Sequence, residues 1–193
     1  MKGTSNMGVS FLFLKIERMI KMIAYKLFKI KQGKLYPLYI LTEKEVPIGE
    51  WIEAETGELL DNGKVKSKLG HLCYRPGWHL ADIPYAAHIG QRDEDGNLLQ
   101  KPDTVWCEVE YSDTVDYQAL AYQNGTNKQG KVIPVKSYLK EIPKDGFYRY
   151  KTNPMMYEDW IIAGAIKVLR ILTNEEIDRI CKENGVEPQK RVG

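Results

Sequence analysis

Apolar and polar positions alternate over Val105-Trp106-Cys107-Glu108-Val109-Glu110-Tyr111, with Val105, Cys107, Val109 and Tyr111 on one face. A period of two marks a strand with one covered face. It places Trp106, Glu108 and Glu110 on the other face, with the two carboxylates as neighbours on a solvated exterior. Tyr25 to Ile30 alternates in the same way. Gln32-Gly33-Lys34 turns the chain, and Leu35 to Leu41 returns as a second extended run, with Pro37 marking it as an edge or irregular strand. The pair reads as a hairpin. Ile48 to Ala54 is a further short strand, followed by turns at Glu55-Thr56-Gly57 and Asp61-Asn62-Gly63. Phe147-Tyr148-Arg149-Tyr150-Lys151 alternates aromatics with bases after a Pro143-Lys144-Asp145-Gly146 turn. Asp159 to Gly164 and Ala165 to Leu172 read as strand, bend, strand.

The period lengthens at the C-terminal end. Thr173 is an N-cap with Glu176 as its capping-box partner, Ile177 and Ile180 form a buried face, and Asn184-Gly185 closes the helix. Asp116 to Gln123 predicts one helical turn, and Asn124 to Gly130 a polar surface loop. These elements predict an α+β fold: a single domain over 22–186, built mainly of antiparallel sheets with a few short helices and a C-terminal helix. Residues 1–21 form a leader. Phe13, Ile16, Ile20 and Ile23 fall at helical spacing there, so it is an amphipathic helix, or an untranslated extension with Met22 as the start. Residues 187–193 are expected to be a loose tail.

Composition narrows this picture modestly. The chain of 193 residues is 43% hydrophobic and 28% charged, with a formal net charge of +2. That is the balance of an ordinary globular protein, and it exerts no global pull toward nucleic acid. Nucleic-acid binding would need a local patch, for which Lys64, Lys66, Lys68, Arg149 and Lys151 are candidates. Cys73, Cys107 and Cys181 form no C-x-x-C and no zinc spacing, so no metal is expected. They read as reduced, mostly buried thiols of a cytoplasmic protein. The apolar run Val9–Leu14 is too short to span a bilayer, and no membrane partner is expected.

Chemistry concentrates between Cys73 and Gly90. Arg75, Trp78, His79, Asp82 and His88 lie there among Pro76, Gly77 and Pro84. Pro76 fixes its own φ and pushes Arg75 toward an extended conformation, while Gly77 permits a sharp turn or a close approach. Trp78-His79-Leu80 begins a short strand, and Asp82-Ile83-Pro84 reads as the start of a short helix. The module serves either as a ligand site or as a structural corner with Trp78 in the core and Arg75 stacked on it.

Several stretches together carry a resemblance: Gly33-Lys34-Leu35-Tyr36-Pro37, Tyr74 to Leu80, Val105 to Glu110, Asp116-Tyr117-Gln118, Tyr150 to Pro154, and Trp160 to Gly164. Over Tyr25 to about Val186 the chain resembles an uncharacterised domain of phage and mobile-element (large polyvalent) proteins. More distantly it is similar to the ADP-ribosyltransferase fold. Enzymes of that fold place an Arg or His at the end of a first strand, a Ser or Tyr in a Gly-aromatic stretch on a later strand, and a Glu at the opening of a strand near the C-terminal end.

Lys26, His79 and Glu158 (or its neighbour Asp159) stand where those signatures belong, with Lys26 and His79 departing from the residue types expected. The resemblance implies NAD as cofactor. It makes Glu158 the carboxylate beside the ribose, His79 a donor to nicotinamide or ribose, Trp78 a stacking wall, and Arg75 or Lys26 the cation facing the pyrophosphate. The expected activity is ADP-ribosyl transfer to a host protein or nucleic acid within the host bacterial cell. The alternative is a non-enzymatic module that binds nucleic acid or protein in phage machinery, or an inhibitor of a host-defence protein.

Overall fold

A computed structural model describes residues 21–153 and 159–191. The strands begin with β1 (Ile23–Lys31), β2 (Lys34–Tyr36), β3 (Trp51–Glu53), β4 (Lys64–Ser67), β5 (Gly70–Cys73) and β6 (Trp78–Ala81). They continue with β7 (Gln91–Arg92), β8 (Leu98–Leu99), β9 (Thr104–Tyr111) and β10 (Val115–Asp116). Helix α1 (Gln118–Gly125) precedes β11 (Gly146–Tyr150), β12 (Trp160–Ala163) and β13 (Ala165–Ile171), and α2 (Asn174–Glu183) follows. The fold is α+β, mostly sheet. A nine-stranded sheet runs β10-β11-β12-β6-β1-β9-β13-β3, with β2 added to β1. Its pairings are antiparallel except β10 with β11. β4–β5 and β7–β8 are separate small hairpins.

Both faces of the sheet are covered. Ala24, Phe28, Leu80, Cys107, Val109, Ile161 and Ile166 form one apolar cluster. Leu27, Ala81, Trp106 and Leu172 form another with Ile177, Ile180 and Cys181 of α2. Helix α2 starts as its sequence dictates: the Thr173 side chain accepts from the Glu176 amide, and the Glu176 carboxylate accepts from the Thr173 amide.

That second covered face corrects the solvated exterior expected for β9. Trp106 is 1% exposed beneath α2, and Glu110 only 9% exposed. Glu110 pairs with Lys21 at 3.2 Å, and Glu108 with Arg170 at 3.0 Å. The helix expected after Asp82 does not form either; residues 82–90 are a run of bends and turns. Ile83 and Ala86 are drawn into the cluster under α2, and the Pro84 carbonyl accepts from the Cys181 thiol. Tertiary contacts override the capping signal there. The tail is not loose over its described part. Lys190 bridges to Leu99, Gln189 is 6% exposed, and its amide group bonds the Ala86 N–H and the Ile89 carbonyl. The expected leader, apart from Lys21, lies outside the described residues, as do residues 154–158 and 192–193. Among the described residues no helix is long and apolar enough to cross a membrane.

Candidate functional site

The sheet opens beside β1. One edge of this strand is fully paired with β9, from Ile23 to Lys29. The other edge meets β6 at Tyr25↔Ala81 and β2 from Lys29 to Lys31. Between those two contacts Lys26, Leu27 and Phe28 have no strand partner on that side among the described residues. β1 and β6 therefore splay apart, and a cavity of about 400 Å³ occupies the split. Its volume suits a small-molecule ligand. Because it lies in a gap of the sheet, residues from both faces line it: Lys26 and Trp78 from one, Leu27, His79, Trp106 and Trp160 from the other. The far wall comes from the connection between β2 and β6, including Leu38, Ile40, Leu69 and Leu72.

Four of the five residues singled out from sequence (Lys26, Arg75, Trp78 and His79) line this cavity. The fifth, Glu158, lies outside the described residues. Trp160, which opens β12, packs edge-on against His79 with ring centroids 6.3 Å apart and against His88 at 5.0 Å. Asp159 pairs with Lys151 at 3.7 Å.

The Lys26 ammonium reaches across the split and donates to the His79 carbonyl at 2.9 Å, a side-chain link where the backbone ladder is interrupted. Nζ lies 5.2 Å from the Trp78 ring centre and 5.5 Å from that of Phe28. No carboxylate among the described residues pairs with it. Burial lowers its pKa to about 8, opposed by the neighbouring Cys107. Burial likewise pushes the Cys107 thiol up to about 12.

His79 is held neutral. Burial, the Lys26 and Arg75 charges and His88 lower its pKa to about 3, against the opposing hydrogen bond to Gly77. Its Nδ1 stands 3.1 Å from the Gly77 carbonyl oxygen. That oxygen can only accept, so the neutral ring carries its proton on Nδ1 and leaves Nε2 as an acceptor. The donor role expected of His79 is thereby corrected: toward a ligand it accepts.

Gly77 makes this placement possible. Its φ of 136° lies where side chains are rarely tolerated, and a Cβ there would meet Ile162 Cγ2 at 2.5 Å. Trp78 is fixed by its indole N–H donating to the Ile52 carbonyl at 3.1 Å. Arg75 stacks, but not on Trp78: its guanidinium carbon is 4.5 Å from the Tyr150 ring centre and 5.8 Å from that of Tyr138. Its Nε is buried without a hydrogen-bond partner among the described residues. The carboxylates that reach the lining, Glu45, Glu53 and Glu55, are exposed. Glu45 is taken up by Lys34 and Glu55 by Lys44. The wall therefore offers two cations with no acidic partner among the described residues, a neutral imidazole acceptor and three indoles.

Sequence reasoning did not select Trp106 or Trp160 as site residues. The β9 alternation marks the face that carries Trp106 but does not reveal that α2 covers it. The basic candidates are largely spoken for. Lys66 pairs with Glu58, Lys68 with Glu43, Arg149 with Asp82 and Lys151 with Asp159. Among the described residues no cluster of His, Cys, Asp or Glu is placed to hold a metal. Comparison of the chain with family models, with curated proteins and with solved structures returns no match.

Proposed function

We propose that the protein is an ADP-ribosyltransferase-like enzyme of phage or mobile-element origin that takes NAD into the split beside β1. One observation carries this reading. The three segments to which the resemblance assigns its signatures run on β1, on β6 and into β12, and these strands are consecutive in the sheet, β12-β6-β1. β6 begins some fifty positions after β1, and β12 some eighty after β6, yet all three border one opening.

The chemistry of the wall suits such a ligand. Lys26 and Arg75, which have no acidic partner among the described residues, offer positive charge to a pyrophosphate. Trp78 and Trp160 offer faces and edges to planar rings. His79 Nε2 accepts a hydrogen bond from a ribose hydroxyl or from the carboxamide N–H of nicotinamide. With a pKa near 3 it moves no proton at neutral pH; its part is to position. The carboxylate that would stabilise an oxocarbenium-like ribose falls to Glu158.

Nicotinamide release from NAD by the full chain tests the proposal. Wild-type protein is expected to turn NAD over, with or without an added acceptor protein or nucleic acid. Glu158→Gln is expected to lower the rate about a hundredfold or more, the scale of losing one electrostatic contact to the transition state. Folded protein that neither binds NAD by calorimetry nor releases nicotinamide would overturn the reading.

A further inference from the structure

Lys26 has an environment that anion binding alone does not require. Its side chain is half-buried beside Phe28 and Trp78, and it donates a hydrogen bond to a backbone carbonyl. The titratable groups beside it are the neutral thiol of Cys107 on β9 and the neutral ring of His79 on β6, and the Arg75 cation faces the same imidazole. Among the described residues no acid pairs with the ammonium to hold it in its protonated form. An amine with a pKa of about 8 is uncharged roughly a tenth of the time at pH 7, and an uncharged amine is a nucleophile. Arg75 shares the cavity wall.

We propose that Lys26 is an imine-forming amine and that the cavity accepts an aldehyde bearing a phosphate, whose anionic group is held by Arg75. In the step itself, the Lys26 lone pair attacks the carbonyl carbon and the carbonyl π electrons move to oxygen. The nitrogen loses a proton to solvent and the oxygen gains one, giving a carbinolamine. Loss of water then forms the C=N bond. One amine and one aldehyde give one imine and one water, with no change of oxidation state. The inference rests on the cavity and not on the nucleotide reading, although ADP-ribose, with a pyrophosphate and a masked aldehyde, belongs to the same ligand class.

Pyridoxal 5′-phosphate is a suitable probe, since it joins an aldehyde, a phosphate and a planar ring. The full-length protein is treated with it near neutral pH, reduced with borohydride, and mapped by mass spectrometry of its peptides. Lys26 is expected to be labelled on the order of tenfold faster than any exposed lysine, because a lowered pKa leaves far more free amine. Inorganic pyrophosphate is expected to protect it, and pyridoxal without the phosphate to label it several-fold more slowly, since the guanidinium then has no anion to hold. Arg75→Met should remove the difference between the two probes. Labelling spread evenly over surface lysines, or an unlabelled Lys26, would overturn the proposal; equal rates for the two probes would overturn its anionic half. NAD binding and turnover are measured without the probe. Labelled Lys26 with no NAD activity therefore sinks the enzyme reading alone, and NAD turnover with unlabelled Lys26 sinks this one alone.

Discussion

At the scale of single residues, the site is defined by two groups whose protonation the fold opposes. His79 has a folded-state pKa near 3 against 6.5 for the free side chain. Between those values the unfolded chain binds a proton that the folded protein does not. Stability therefore falls as pH drops from about 6.5 toward 3. Lys26 obeys the same sign in a different window. Its folded-state pKa is about 8 against 10.5, so stability rises with pH between those values. Urea unfolding of wild-type protein and of His79→Asn across the acid range is the check. The wild type should lose stability more steeply than the variant below pH 6.5, and parallel curves would show that His79 titrates normally. The identity of the groups was legible in the sequence, because Lys26, Arg75, Trp78 and His79 all reach the cavity. Their chemistry was not. The tautomer of His79 depends on the Gly77 carbonyl beside it, and the stacking of Arg75 on Tyr150 depends on a strand far along the chain.

At the scale of elements, local signals succeeded where one segment contains the whole cause. The capping box of α2 lies within four consecutive residues, Thr173 to Glu176, and forms as read. The bend at Gly164 between β12 and β13 also forms as read, although a distant turn enforces it: a Cβ there would meet the Pro143 carbonyl oxygen at 2.2 Å. Signals failed where a distant element intervened. Asp82-Ile83-Pro84 has the residues of a helix start, yet Ile83 and Ala86 gain more by packing under α2. Trp106 and Glu110 read as an exposed face because alternation reveals a period and not what covers each side. Gly77 joins these two regimes, since its residue type announces a turn and its neighbours make that turn obligatory. Gly77→Ala should destabilise the protein by about 1–3 kcal/mol, since a Cβ at positive φ would press on Ile162 of β12. It should also weaken ligand binding more than the loss of stability explains, because the Gly77 carbonyl orients His79. Calorimetric binding at a temperature where the variant remains folded separates the two effects. Unchanged affinity would mean that the carbonyl contact is dispensable.

At the scale of the whole molecule, the split in the sheet is what a sequence read in windows cannot show. β1, β6 and β12 are each recognisable as extended segments, but nothing local says that β6 meets β1 at a single pair of residues while β2 takes the far end of the same edge. The opening is a product of that topology. Its far wall is equally non-local. The chain from Leu38 to Cys73 returns over the split and is fastened at several points. Val46 N–H bonds the Leu35 carbonyl, Gly49 N–H that of Val168, Ala54 N–H that of Gly164, and Lys68 N–H that of Tyr39. Trp78 ties this segment to β6 through Ile52. The cavity is thus closed between a well-paired sheet and a segment with few regular hydrogen bonds, the kind of region that opens at modest free-energy cost. A ligand held by both sides should couple their opening. At a concentration a hundred times its dissociation constant it adds about 2.7 kcal/mol to any opening that releases it, or about a hundredfold slower exchange. Hydrogen exchange with NAD or pyrophosphate present should accordingly slow the amide of Lys68 and the β4–β5 hairpin together with β6. Protection confined to β1 and β6 would show that the segment frames the opening without gripping what enters it.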